Sequence, residues 1–166
     1  MDINLEQFIS LSREYISMID NLSDKTMPHE FLSKCIVLLP QIYALGFQLP
    51  NIEPENSDVS KPDFSSPMSS ITKVLGKYDL YNEVFDPIFD EDIVTSSISD
   101  DLADIYKDLK NPLINYDCGK KNDAIWSWRF NILGHCGDHI VDALRAIHRL
   151  VNDHMPMDYN ANENGG

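Results

Sequence analysis

Apolar residues recur at helical spacing from Leu5 to Leu22 (Leu5, Phe8, Ile9, Ile16 and Ile19), with Tyr15 and Met18 widening the stripe and the small Ser12 admitted to it. This is the pattern of an amphipathic helix with one buried face. Thr26-Met27-Pro28 reads as the entrance to a second helix, because a first-turn proline lacks only an N–H that has no intrahelical partner there. From Pro28 to Leu45 the chain is apolar nearly all round, which predicts a helix enclosed by others. Pro40 inside it predicts a kink or a split, and Gly46 a stop.

The pattern then changes. Between Pro50 and Ser70 stand Pro50, Pro54, Pro62 and Pro67 among serines and acids, a long loop expected to be mobile. A short helix is expected over Ser70–Tyr78. The segment Tyr81–Phe89 mixes aromatics with acids without a clean period, and its aromatics are expected to pin it to the bundle. Ser97-Ile98-Ser99-Asp100 has capping-box spacing, with aspartate in place of the usual glutamate or glutamine, and opens a helix running towards Lys110 that Pro112 ends or kinks. After a turn at Asp117–Asn122, one last helix is expected from Asp123 to His154. Residues 155–166 are polar and rich in small residues, the composition of a disordered tail. No strand alternation shows. The fold class read from this is all-α, a single-domain helical bundle of about five helices over residues 1–154 with a long Pro-rich loop.

On a helical wheel the last helix gathers Ile125, Trp126, Phe130, Ile132, Leu133, Cys136, Ile140, Val141, Ala143, Leu144, Ile147, Leu150 and Val151 into a broad arc. Trp126 is read as packing within it, and His148 beside it as a satisfied core histidine. Arg129 falls inside the arc, where an unpaired guanidinium would cost several kcal/mol, so an ion pair with Asp101, Asp104 or Asp108 is expected. Those three aspartates are three, four and seven residues apart and share one face of the preceding helix. Like charges so placed call for opposing cations. His135, His139 and Asp142 stand at i, i+4 and i+7 on the last helix, a spacing that can bring two imidazoles and a carboxylate to one divalent metal ion. The chain has Cys136, not glutamate, directly after the first histidine, so the zinc-protease motif is absent; so is the Glu-x-x-His pairing of di-iron bundles.

The net charge of -14, from 27 acids against 13 bases, repels phosphate backbones and anionic membranes and leaves a protein partner or a bound cation open. Cys35, Cys118 and Cys136 lack redox or zinc-pair spacing and read as reduced thiols. With no signal-peptide pattern at Met1–Glu6 and no long apolar run, the expected compartment is the cytoplasm.

The stretch Asp100-Asp101-Leu102-Ala103-Asp104-Ile105-Tyr106-Lys107-Asp108-Leu109-Lys110, followed by Trp126-Ser127-Trp128-Arg129-Phe130, His135, Gly137, His139 and Asp142-Ala143-Leu144-Arg145-Ala146, resembles a bacterial family of uncharacterised helical proteins catalogued only as a domain of unknown function. Leu38-Leu39-Pro40-Gln41-Ile42-Tyr43 is similar to that family's second helix. The resemblance implies a helical bundle and carries no activity. The function expected first is therefore a non-enzymatic protein-binding module; the alternative is a bundle that binds a metal or small ligand, as an enzyme or otherwise, through Asp101, Asp104, Asp108, His135, His139 and Asp142.

Overall fold

The stripe Leu5–Phe8–Tyr15–Ile19 folds as predicted into α1 (Ile3–Asp20), and Met27-Pro28 opens α2 (Pro28–Gly46) with the proline in its first turn. The computed structural model describes residues 3–55, 64–89 and 91–155. Pro40 neither splits α2 nor ends it, and it lies on the exposed side of the helix. That side is a correction to the enclosure expected for α2, since Val37 is 61% exposed. α2 does end at Gly46, but packing rather than a left-handed backbone explains the glycine: a Cβ there would lie 2.8 Å from Cγ1 of Ile132.

The Pro-rich loop is held where it is described. Its Glu55 N–H donates to Asp123 Oδ1 (2.6 Å), and Phe64 packs edge-on to Tyr106. Residues 56–63 lie outside the described part, as does the tail from 156. α3 (Met68–Leu75) continues into a short 3-10 turn, Gly76–Tyr78.

Next comes an antiparallel hairpin that the sequence did not predict: β1 (Leu80–Val84) pairs with β2 (Ile93–Ser97) in the register Leu80↔Ser97 to Val84↔Ile93. Of its three aromatics, Tyr81 pins it to the bundle as expected, half-buried against the core. Phe85 and Phe89 do not, being 81% and 85% exposed, and the hydroxyl of Tyr81 adds a hydrogen bond to Asp101.

α4 (Ile98–Asp117) is the central helix, packed against α1, α3, α5 and α6. Ser97 caps it as predicted, accepting from Asp100 N, and the buried Asp79 adds a second cap by accepting both the N–H and the hydroxyl of Ser99 at 2.8 Å. Pro112 does not end it. A proline there strips the Asp108 carbonyl of its helical donor, and Asn131 Nδ2 supplies a replacement at 3.3 Å. The helix stops at Gly119 (φ 89°), where Gly119 N donates to Tyr116 O and Lys120 N to Asn115 O, the paired bonds of a Schellman end.

The expected last helix is two: α5 (Lys121–Gly134) and α6 (Cys136–Arg149), broken at His135 (φ -140°, ψ -65°), with a final π-helical turn at Leu150–His154. The buried stripe is narrower than the predicted arc. Ile125, Trp128, Ile132, Cys136, Ile140, Ala143 and Ile147 face the core, whereas Phe130, Leu133 and Val141 are exposed. Trp128, not Trp126, is the core indole; its Nε1 donates to Leu109 O at 3.0 Å, while Trp126 stacks on Phe130 at the surface. His148 is exposed rather than buried. No helix among the described residues is long and apolar enough to cross a membrane.

Candidate metal centre

Asp101, Asp104 and Asp108 present one row of carboxylates on α4, and His135 and His139 face them from the α5–α6 junction. Gly137 makes this junction possible. A Cβ on it would lie 2.2 Å from the Ile132 carbonyl oxygen, so only glycine lets α6 start this close to the last turn of α5.

Each imidazole is held from behind by a different carboxylate. His135 Nδ1 lies 2.8 Å from Asp108 Oδ2, and His139 Nδ1 lies 2.8 Å from Asp101 Oδ1. Carboxylates only accept, so both protons sit on Nδ1, and in the neutral rings both Nε2 atoms carry lone pairs. Those Nε2 atoms stand 3.3 Å apart, and Asp104 Oδ2 is 3.5 Å from that of His139. The ligand atoms of Asp104, His135 and His139 all lie within 4.8 Å of one another. The other oxygen of Asp104 is paired with Lys107. Three lone-pair atoms this close repel unless a proton or a metal ion sits between them. The carboxylates, with Asp101 first, raise the His139 pKa, so a proton and a metal ion compete for this place.

Distances choose between kinds of ion. With metal–nitrogen bonds of about 2.0–2.1 Å a tetrahedral ion sets neighbouring ligand atoms about 3.3–3.4 Å apart. An octahedral ion with bonds of about 2.1 Å sets them about 3.0 Å apart. The observed 3.3 Å and 3.5 Å match two edges of the tetrahedron, and the third, between Asp104 and His135, lies within 4.8 Å. Cys136 adjoins the site, but burial first, then Asp108 and Asp104, keep its thiol protonated.

The predicted residues thus separate into roles. Asp104, His135 and His139 converge; Asp101 and Asp108 stand behind the histidines. Asp142 stands apart from the three and lines a neighbouring cleft of about 690 Å³ between the hairpin, α4 and α6. Arg129 is a correction. It makes no ion pair with any of the aspartates and donates instead to the carbonyls of Leu49 (2.9 Å) and Phe47 (3.4 Å), which follow the C-terminal end of α2. Backbone carbonyls satisfy its guanidinium there, so the buried-charge argument for an aspartate does not hold.

Sequence reasoning missed the hairpin's share. Tyr81 Oη lies 2.7 Å from Asp101 Oδ2 and 2.9 Å from Glu83 Oε2, and Ser96 bonds the other oxygen of Glu83. Burial pushes the Asp101 carboxyl up, against the downward pull of the His139 and Tyr81 hydrogen bonds. Asp142 is pushed up to about 6, by burial first and then by Glu83, Asp101 and Asp138. A usable signal existed only at Gly134 and Gly137, since glycine inside a helix costs about 1 kcal/mol and asks for a reason.

A solved structure with the same fold is protein BF1032 from Bacteroides fragilis, which superposes with a TM-score of 0.76 over 94% of this chain and 96% of its own, at 21% identity. No curated protein matches the sequence. Residues 1–153 match the family described as Domain of unknown function (DUF5063), and the chain belongs to that family.

Proposed function

We propose that this domain binds one divalent metal ion of the zinc type, through Asp104 Oδ2 and the Nε2 atoms of His135 and His139. The observation that carries this reading is the convergence of three lone-pair atoms within 4.8 Å of one another, two of their separations at tetrahedral spacing, with each imidazole fixed from behind by a carboxylate. Such carboxylate–histidine–metal arrangements orient the ring and raise its basicity. Two imidazoles and a carboxylate suit zinc and its neighbours better than magnesium or calcium, which prefer oxygen alone. Three protein ligands leave a fourth position, as in zinc sites that work on a bound molecule rather than brace a fold. The surrounding acids favour any cation.

Elemental analysis and calorimetric zinc titration of untagged protein test the reading. One equivalent should bind, with affinity lost in His139→Ala and strongly reduced in Asp104→Asn. Saturable binding that ignores both substitutions, or none at all, would sink it. A protein-binding role, the other function the sequence suggests, would draw on Phe85, Ile88 and Phe89, exposed at the hairpin turn. It ranks second because that patch specifies no partner chemistry.

A further inference from the structure

The cleft beside the candidate centre is lined by both histidines, by Glu83, Asp86, Asp100, Asp101, Asp138 and Asp142, and by an apolar wall of Phe85, Pro87 and Val94, with no lysine or arginine among its lining residues. A divalent ion does not reverse this field. Its two charges are met by Asp104 and by Asp101 behind His139, which leaves Glu83, Asp86, Asp100, Asp138 and Asp142 around the opening. Asp142 makes no hydrogen bond or ion pair among the described residues, although it is half-buried. The volume, about 690 Å³, is that of a small-molecule site and not of an extended interface.

We infer that the ligand of this centre is a small organic amine: a molecule that places a neutral donor on the open metal position, an ammonium group against Asp142 and its neighbours, and its hydrocarbon body on Phe85, Pro87 and Val94. This rests on the metal reading above and adds its ligand class. The same field excludes phosphates and carboxylates, the usual partners of cationic metal sites, because each brings a negative charge to a ring of carboxylates. The apolar wall explains why a bare inorganic cation is not the best occupant: it leaves Phe85 in water.

The test uses the full chain loaded with cobalt(II), whose visible spectrum reports the donors around the ion. Three compounds share one imidazole donor and a three-carbon arm: N-propylimidazole is neutral, N-(aminopropyl)imidazole carries an ammonium, and imidazolyl-propionate a carboxylate. At about 0.15 M salt the amine should bind about tenfold tighter than the neutral compound and the carboxylate about tenfold weaker, the scale of one partly screened charge. Asp142→Asn combined with Asp138→Asn should bring the amine to within about threefold of the neutral compound and leave the neutral compound unchanged. Equal affinities across the series, or preference for the carboxylate, would overturn the inference and leave the metal reading standing. Failure to take up cobalt would overturn both.

Discussion

His139 Nε2 stands 3.3 Å from His135 Nε2 while Asp101 and Asp108, from another helix, hold the far nitrogen of each ring. Such a pair of neutral imidazoles stores repulsion that a cation relieves. Zinc at a hundredfold over its dissociation constant should therefore stabilise the fold by about 2.7 kcal/mol. For a domain of this length that raises the melting temperature by roughly 5–10 °C. Thermal unfolding with zinc and with a chelator measures it, and His135→Ala should show no shift.

Arg129 closes off the carbonyls beyond α2 instead of pairing with α4. Replacing it with methionine should cost about 1.5–3 kcal/mol, the scale of hydrogen bonds from a charged donor. The cost should add to that of Asp104→Asn within about 0.5 kcal/mol, as for sites that share no partner. A double-mutant cycle by urea unfolding decides: coupling above about 1 kcal/mol would mean that the guanidinium does reach the aspartates.

The two faces of the candidate centre were legible because helical spacing alone places Asp101, Asp104 and Asp108 on one side and sets His135 four residues from His139. The break at the first of those histidines was hidden. Ile132, Cys136, Ile140 and Ala143 keep the three-four rhythm straight through it, so the apolar pattern has no phase slip to betray the junction. The hairpin was hidden for the opposite reason. Its strands turn Tyr81 and Glu83 towards the protein and leave Leu80 and Ile93 in solvent, which inverts the alternation by which a half-buried strand is recognised. Local rules fail where polar groups are drawn inward to serve a site. Arg129 was misjudged because a wheel shows that a charge is buried but not which acceptors meet it.

Gly137→Ala tests the junction itself. Its Cβ would stand 2.2 Å from the Ile132 carbonyl oxygen, a backbone atom that cannot swing aside. The substitution should cost about 1–3 kcal/mol, as overpacking does, and should weaken zinc binding because relief of the clash moves His135 relative to His139. Wild-type stability together with wild-type zinc affinity would show that the close approach is absent in solution.

Asp142 gives the metal-free protein a pH dependence whose sign can be worked out. Its carboxyl is pushed up to about 6 by burial and by Glu83 on the hairpin, Asp101 on α4 and Asp138 on its own helix, with the nearby His139 pulling the other way. The unfolded chain ionises this group near its ordinary value of about 3.9. Between those two values the native state holds the proton and the unfolded state does not, so this group's contribution to stability falls as pH rises through the window and is fully lost above it. The full shift would correspond to about 3 kcal/mol; solvent screening of a half-buried group reduces that to roughly 1–2 kcal/mol. Asp142→Asn removes the charge without breaking a hydrogen bond. It should therefore stabilise the fold by that amount at about pH 7.5 and by almost nothing near pH 4. Urea midpoints at the two pH values measure the difference, and an equal gain at both would show that the carboxylate's charge is not what weakens the native state.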